Sequence, residues 1–443
     1  MSSSVKFSGP EAFYKVDCCP TNEESMGPLK NPVFVTSYRR RGEKVRYFLE
    51  QFIFYISGSA LCYTLIAYLF RKYLSCVLKT IPIKLTIFVI LPAFLYSLIA
   101  QMVKCILHPA SSCLYMSRPL NSYIFTQLHK RYKIKAKYIA IKVNGYLIDG
   151  LILGREQDFE TQKRRVVLVS LGNAESYEAT FSAFYDFAYD VHLYVEMAQA
   201  ANSILLMYNY PGVRRSQGAL FCPKICGDVH RAFLEFAIKY LEGKEIVDFG
   251  RSIGGGVSAE GRLSFPLAEG VNYLPVKDRT FSNLTDCISH KVGHFLGWLA
   301  AGFGWRGYAS DEQISREPLR PAIVIQTGDT KKMKPYSRDD ELDPGVVMGD
   351  KRLISTHHPW YPPLQRMRDR DQLADTDNII SKEASLAAHV PNQDPIQIYI
   401  TPYNHQQVSQ EYGISIGKII ALHFDSVKKK KDLQIDSVNK PQG

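Results

Sequence analysis

The 443-residue sequence predicts an α/β fold, a mostly parallel sheet flanked by helices, preceded by a two-helix transmembrane hairpin. Short apolar runs of the kind found in buried strands alternate with amphipathic helical segments, and this alternation favours a parallel sheet. Two longer apolar runs carry no charge and have the length of membrane helices. Hydrophobic residues make up 46% of the chain and charged residues 22%, which excludes a disordered protein. Nine cysteines in so long a chain exclude a small disulfide-stapled domain.

The first of the two uncharged runs covers residues 51–70, and the second covers residues 85–103. Each run is close to the roughly 20 residues that a helix needs to cross a bilayer. Backbone groups in lipid must be paired within the segment, so helices are the expected form. We therefore predict a membrane hairpin over residues 48–104 with both ends on one side. The alternative is a pair of helices buried in a soluble core, which is less favoured because neither run has a polar face.

Basic residues decide the expected orientation of this hairpin. The polar segment 1–47 ends in a basic cluster, and counting charges on both sides slightly favours termini in the cytosol. We expect a multi-pass membrane protein with two helices, whose large domain faces a cytosol. The connector spans residues 105–130, and a basic tail spans residues 426–443. The net charge is +11, but no recognition motif indicates nucleic acid, so a lipid bilayer is the predicted partner and nucleic acid is not.

Residues 131–425 are predicted to form the large domain. It opens with two strands around Asn144-Gly145, a strong hairpin signal because both turn positions require a positive φ. The stretch 330–380 is polar and rich in Asp, Arg and Pro, and we expect a surface insertion there. The predicted strands are 138–143, 146–153, 166–169, 204–208, 246–249, 322–326 and 396–400, and the predicted helices are 176–200, 228–242 and 410–424.

A nucleophile elbow is predicted at Gly250-x-Ser252-x-Gly254, between a predicted strand and a helix. Side chains at the glycine positions would collide with the neighbouring strand and helix, and the sharp turn would raise the Ser252 hydroxyl above the sheet. The alternative is a glycine-rich helix start that serves packing or phosphate binding. The run lacks the Lys-Ser/Thr pair that a P-loop requires.

A nucleophilic serine needs a base, and the base needs an acid that orients it. In α/β-hydrolases these residues follow in the order Ser, Asp, His. His405 comes just after the last predicted strand and suits the base, and Asp329 ends an earlier predicted strand and suits the acid. The alternatives for the acid are three residues of the same loop. They are Asp339, Asp340 and Asp343.

The oxyanion donors are expected on two backbone segments. The N–H of Ile253 lies at the start of the predicted helix, where a negative charge would be stabilised. The turn after the first central strand supplies the second donor, from Leu171 or Asn173. A plain strand-to-helix turn is the alternative for this second segment.

Cofactors and metals find no support in the motifs. Cys222-x-x-x-Cys226 is a poor zinc half-site, and the pair His357-His358 has no carboxylates at helical spacing. No glycine-rich stretch has the acidic residue that completes a dinucleotide fingerprint. We therefore predict no cofactor and no metal.

Four segments resemble the chlamydial CHLPS protein family, which is uncharacterised and belongs to the α/β-hydrolase superfamily. The resemblance covers residues 130–425 and implies that superfamily's Ser–Asp–His roles for Ser252, Asp329 and His405. The loop after Asp329 is longer and more charged than a typical hydrolase loop. The segments are LGNAESYE (171–178), YNYPGVRRSQG (208–218), GRSIGGGVSAE (250–260) and DRTFSNL (278–284).

The sequence therefore predicts a membrane-anchored serine hydrolase of the esterase, lipase or thioesterase type, acting on a small acyl ester or thioester. One alternative is a non-catalytic, membrane-tethered interaction protein that keeps the fold. Another is an acyltransferase that uses the same serine with an alcohol acceptor instead of water.

Overall fold

The fold is that of a computed structural model, which describes part of the chain. The predicted membrane hairpin at 48–104 lies outside the described residues, as do nearly all of 1–47 and most of the connector. Among the helices that are described, none combines the length and the apolar character needed to cross a bilayer. The described residues are 14–17, 128–155, 158, 165–173, 175–182, 190–218, 220, 223–302, 305, 307–336, 346–347, 361–405, 407 and 409–438.

Eleven strands and nine α-helices are described. The strands are β1 (Tyr14–Asp17), β2 (Ile134–Val143), β3 (Tyr146–Arg155), β4 (Arg165–Ser170), β5 (Ile204–Tyr208), β6 (Glu245–Arg251), β7 (Asn272–Asp278), β8 (Ala322–Thr327), β9 (Val346–Val347), β10 (Leu364–Arg366) and β11 (Ile396–Thr401). The helices are α1 (Tyr177–Ser182), α2 (Asp190–Ala200), α3 (Pro223–Lys239), α4 (Ile253–Leu263), α5 (Leu284–Val292), α6 (His294–Gly302), α7 (Ser310–Arg316), α8 (Leu386–His389) and α9 (Gln410–Val438).

One mixed sheet contains all of these strands, in the order β1-β2-β3-β5-β4-β6-β7-β8-β11-β10-β9. The run from β5 to β11 is parallel, while β3 is antiparallel to both of its neighbours, β2 and β5. The helices that connect the parallel strands cover the sheet. From β2 to β11 the strand order, with an antiparallel second strand and β5 inserted before β4, is that of the α/β-hydrolase fold. The predicted fold class of the large domain is therefore confirmed.

The predicted strands are found because the central strands are buried on both faces. Residues Val166 to Val169 of β4 are fully buried, as a continuous apolar run in a parallel sheet requires. The opening hairpin is also found, and its turn has a φ of 50° at Asn144 and 84° at Gly145. The segment 176–200 contains α1 and α2, and the residues between these two helices lie outside the described residues.

Three differences from the sequence-based expectations have physical causes. The sequence does not predict strand β7, because Pro275 and the charged residues Lys277 and Asp278 are unusual in a buried strand. Both charged side chains are nevertheless buried, where they are paired with other groups. Helix α9 continues to Val438, through the lysines of the predicted tail. Part of the expected surface insertion enters the fold, because β10 pairs with β11 and apolar side chains near it are buried. They are Leu364, Met367, Leu373 and Ile380.

A buried carboxyl pair joins β3 to α1. Asp149 and Glu178 are almost completely buried, and the side-chain amide of Asn209 donates to both, at 3.3 Å and 2.8 Å. The Tyr177 hydroxyl also donates to Asp149. Burial raises the pKa of Asp149, and the neighbouring charge of Glu178 raises it further. Burial likewise raises the pKa of Glu178. The pair is therefore stable in the fold when it carries protons.

We expect Asp149→Asn to change how the stability depends on pH. The folded protein retains a proton that the unfolded chain releases, so wild-type stability falls as the pH rises from the ordinary carboxyl range towards the raised pKa. Asparagine does not titrate, so the variant should gain stability relative to wild type as the pH rises. Urea unfolding at about pH 5 and about pH 8 measures this difference. Asp425→Asn, on the exposed side of α9, should track wild type, and equal pH dependence in all three proteins would contradict the expectation.

Candidate active site

Ser252 occupies the sharp turn between β6 and α4. Its φ is 54° and its ψ is −125°, a strained conformation for a residue with a side chain. Two backbone contacts hold it. The Ser252 N–H donates to the Asp278 carbonyl at 3.0 Å, and the Thr280 hydroxyl donates to the Ser252 carbonyl at 2.6 Å. The end of β7 therefore fixes the turn, and the geometry is that of a nucleophile elbow.

The glycines around Ser252 are required by close packing. A Cβ on Gly250 would lie 2.6 Å from the Gly255 Cα atom. A Cβ on Gly254 would lie 2.7 Å from the Leu171 carbonyl oxygen. The first turn of α4 is therefore pressed against both its own strand and the loop that follows β4, as the sequence pattern predicts.

His405 follows β11 and pairs with a carboxylate. Its Nδ1 lies 3.0 Å from Oδ2 of Asp377, and both side chains are buried. The His405 N–H also donates to the Asp377 carbonyl at 3.0 Å. With Nδ1 engaged by the acid, Nε2 is the nitrogen that remains for a base. This is the arrangement of a histidine oriented by an acid.

Asp377 is stabilised in its ionised form. Its Oδ1 accepts the N–H groups of Ile379 and Ile380 at 3.0 Å and 2.6 Å, and its Oδ2 accepts the Gln326 amide at 3.2 Å. Burial alone would raise the pKa of Asp377. The hydrogen bond and charge of His405, together with the two backbone donors, outweigh burial and hold the pKa below its ordinary value.

The partner of His405 is thus Asp377 and not the predicted Asp329. Asp329 does follow β8, but its N–H donates to the Gln372 carbonyl at 2.8 Å and its carboxylate accepts the Lys331 N–H at 3.0 Å. Asp377 lies near the end of the polar stretch 330–380, so the order of the strands does not predict it as the acid. The local sequence that could have indicated it is Asp-Asn followed by two isoleucines, which forms a turn in which Asn378 has a φ of 76°. The other three candidates, at 339, 340 and 343, lie outside the described residues.

A buried arginine holds the loop that carries His405. Arg279 is fully buried, and its Nη1 donates to the carbonyls of Asn404 and Gln407, the latter at 2.7 Å. Its remaining nitrogens donate to the Asp278 carboxylate at 2.9 Å and 3.0 Å. Burial alone would raise the pKa of Asp278, but the Arg279 charge and hydrogen bonds outweigh it and lower the pKa. The local sequence gives no sign that this pair supports the loop of His405.

A second arginine joins the elbow to the same loop. Arg251, the residue before Ser252, donates through Nη2 to the His405 carbonyl at 3.0 Å and through Nη1 to Glu175 at 2.9 Å. Arg251 therefore links the elbow to the loop of His405 at the carboxyl ends of the parallel strands. Among the hydrogen bonds of the described residues, none joins Oγ of Ser252 to the His405 ring.

The predicted oxyanion segments meet at the elbow. Ile253 begins α4, where the first backbone N–H groups have no partner within the helix. The loop after β4 is tied down, because the Tyr210 hydroxyl donates to the Leu171 carbonyl at 2.6 Å and Gly172 N–H donates to Glu175 at 2.7 Å. Glu175 thus links this loop to Arg251, a role that the sequence does not reveal. The donor roles of Ile253, Leu171 and Asn173 stay predictions.

Within the described ranges, no group of three or more His, Cys, Asp and Glu side chains could hold a metal ion. Cys222, His357 and His358 lie outside those ranges.

The sequence family is decided by one match. The family described as Chlamydia CHLPS protein (DUF818) matches residues 65–342, well over half of the chain. The chain belongs to the Chlamydia CHLPS protein family. The matched region includes the elbow, the loop after β4 and the end of β7. It stops before Asp377 and His405. No curated protein matches the chain.

The solved structures that are similar to this chain have low sequence identity to it. An alpha-beta hydrolase from Vibrio vulnificus is 14% identical, with a TM-score of 0.39 over 51% of this chain and 75% of that one. The esterase Pf2001 of Pyrococcus furiosus is 14% identical, with a TM-score of 0.32 over 45% and 71%. Carboxyl esterase 2 from Tuber melanosporum is 12% identical, with a TM-score of 0.31 over 44% and 67%. The strand order and the elbow identify the fold, and the low TM-scores of these structures are not used for it.

Arg279→Lys should destabilise the protein by about 3 kcal/mol, because one ammonium group cannot replace the donors to Asp278 and to two loop carbonyls. Arg316→Lys is the matched control, since Arg316 is exposed and bonds Glu312 one turn away on α7. The cost of this control substitution should stay below about 1 kcal/mol. Chemical unfolding of the detergent-solubilised chain measures both. Equal costs would show that Arg279 is not a special support.

Proposed function

We propose that this protein is a serine hydrolase that cleaves acyl esters or thioesters. The observation that carries the proposal is the strained φ of Ser252 at a strand-to-helix turn, with the His405–Asp377 pair attached to the same edge of the sheet. A strained serine of this kind persists only where the surrounding structure over-determines it, and such strain concentrates at functional sites. The α/β-hydrolase strand order supports the same chemistry.

In the proposed reaction Ser252 Oγ attacks the acyl carbonyl while Nε2 of His405 takes its proton. Asp377 holds the Nδ1–H and stabilises the imidazolium that forms. The N–H groups of Ile253 and of the 171–173 loop bind the oxyanion. Collapse of the intermediate releases the alcohol or thiol, which receives the proton from His405. Water then attacks the acyl-enzyme by the same steps in reverse and releases the acid.

Asp377 replaces Asp329 as the acid in this scheme. Its lowered pKa keeps it ionised at neutral and mildly acidic pH, so the orientation of His405 does not depend on a narrow pH range. The two backbone donors at Ile379 and Ile380 bind the oxygen that His405 does not use. Oδ2 is thereby left to face the imidazole.

We further propose that residues 48–104 anchor this hydrolase in a membrane, with the large domain facing a cytosol. The support is the pair of uncharged runs at 51–70 and 85–103. A bilayer beside the site makes acyl-lipid esters the substrate class of first choice.

The non-catalytic interaction protein is the second candidate. The observation that favours it is the lack of a hydrogen bond between Ser252 Oγ and the His405 ring, although such bonds often tighten only when substrate is bound. The acyltransferase needs a water-excluding pocket beside Ser252. A small cavity of about 20 Å³ is found in the described part of the chain, but its lining includes Ile134, Leu153 and Asn202, away from Ser252.

A fluorophosphonate probe, which reacts with serines activated by a base, tests the proposal. Detergent-solubilised wild type should be labelled, and Ser252→Ala and His405→Ala should not. Asp377→Asn should slow labelling by about 10³-fold or more, because the histidine loses its orienting acid. Asp329→Asn is the matched control, since Asp329 lies near the end of β8 and is bonded elsewhere. It should be labelled at the wild-type rate.

Other outcomes have definite meanings. Folded wild type that resists the probe would exclude an assembled catalytic serine and favour the interaction protein. A slow Asp329→Asn variant beside a normal Asp377→Asn variant would return the acid to its predicted position. Circular dichroism of each variant separates loss of chemistry from loss of fold.

A further inference from the structure

The helical hairpin formed by α5 and α6 has its large apolar side chains on the outside. Among the described residues, four exposed large hydrophobic side chains fall within seven consecutive positions. They are Val292 at 56% exposure, Phe295 at 68%, Leu296 at 43% and Trp298 at 67%. Contiguous exposed apolar surface of this kind marks an interaction site more often than isolated exposed residues do. We call residues 290–298 the apolar tip.

The residues of α6 that pack against the protein are small. Gly297 is buried, and a Cβ at that position would collide with the Ser289 hydroxyl of α5, so the two helices touch through a glycine. Ala300, one turn later, is also buried. The amphipathic pattern of α6 is therefore inverted, with small side chains against the protein and Phe295 and Trp298 facing outward. The aromatic rings of these two residues lie 6.1 Å apart and form one surface.

The hairpin is fixed beside its tip to the part of the fold that carries the candidate site. The Asn283 side chain caps α5 by accepting the Asp286 N–H at 2.9 Å. Lys291 Nζ donates to the Asn378 carbonyl at 2.9 Å, next to Asp377. The apolar tip is thus held beside the acid of the site rather than on a remote face.

Lys291 is the one formally charged residue in the sequence of the tip, and no Asp or Glu occurs from residue 287 to residue 310. Two carboxylates lie close by, since Asp286 is bonded to Asn283 and Glu383 interacts with His290 of the tip. An apolar surface with tryptophan and phenylalanine, whose own sequence carries a positive and no negative charge, has the composition of a segment that lies in the headgroup region of an anionic bilayer.

We propose that the apolar tip docks on the surface of an anionic lipid bilayer. Phe295, Leu296 and Trp298 enter the boundary between headgroups and acyl chains. Lys291 lies at the margin of the tip, where it keeps its bond to the Asn378 carbonyl and brings a positive charge near the phosphates. This contact is separate from the predicted anchor at 48–104 and holds whether or not Ser252 is a nucleophile. It places the edge of the sheet that carries Ser252 next to the membrane.

The fluorescence of Trp298 tests this proposal directly. The full chain is reconstituted in vesicles of phosphatidylcholine and phosphatidylserine, with and without brominated acyl chains, and the signal of Trp298→Phe is subtracted to isolate Trp298. Brominated lipid should quench this signal by roughly half or more, as expected for an indole at the headgroup boundary. Aqueous acrylamide should quench it less in vesicles than in detergent-free solution of the same chain held by an amphipathic polymer.

Two variants separate docking from general attachment. Phe295→Asp places a charge in the tip at an exposed position, so the fold is retained and lipid quenching of Trp298 should fall to near the background. Leu422→Asp, at an exposed apolar position on α9, is the matched control and should leave the quenching unchanged. Phosphatidylcholine vesicles without phosphatidylserine should give weaker quenching.

Three outcomes would overturn the proposal. Trp298 that is quenched by acrylamide and not by brominated lipid would show that the tip stays in water. Protection from both quenchers would show that protein covers the tip, either a second copy or the N-terminal part of the chain. Equal lipid quenching in wild type and Phe295→Asp would show that the tip does not determine the contact. None of these readouts requires Ser252 to react, so they are independent of the probe-labelling experiment.

Discussion

Four consecutive residues at the end of β7 hold both halves of the candidate site. Lys277 donates to the Gly255 carbonyl at 3.0 Å under the elbow, and the Asp278 carbonyl binds the Ser252 N–H. Arg279 holds the loop of His405, and Thr280 binds the Ser252 carbonyl. Since Ser252 is strained, its conformation persists only while these contacts hold it. Residues 277–280 supply these contacts, so the pairing of β7 in the sheet also sets the geometry of the site.

The charges that make these contacts are stabilised by a polar layer inside the fold. Asp248 lies between His230 and Lys277, and the Tyr273 hydroxyl donates to it. Burial lowers the pKa of Lys277 to about 8, although the nearby charge of Asp248 opposes this. Burying an unpaired charge would be strongly unfavourable, so each of these groups needs the others. The layer therefore couples α3, β6 and β7, and through Lys277 it reaches the first turn of α4.

The same charges limit what the sequence reveals. Apolar runs identify β4, β5 and β8 because those strands are buried through hydrophobic side chains. Strand β7 carries its buried charges at the site, so its pattern resembles a surface segment. The elbow and His405 follow from local motifs and strand order, which are visible in one dimension. Asp377 bonds His405, which lies 28 residues further along the chain. Arg279 bonds its neighbour Asp278 and also the carbonyls of Asn404 and Gln407, and its local sequence does not reveal these two distant partners. The motif at 278–284 that carried the family resemblance contains this arginine, but the resemblance does not disclose its role.

The position of Asp377 also follows from local hydrogen bonding. Because its carboxylate accepts the N–H groups of Ile379 and Ile380, the turn orients the acid without help from the end of β8. The His405 N–H bonds back to the Asp377 carbonyl, so the acid loop and the histidine loop fix one another. A long excursion can therefore separate β8 from the acid with no loss of geometry, since only its last turn must reach His405. Strand order locates the base because His405 stays close to its strand, whereas the acid is located by the turn it makes.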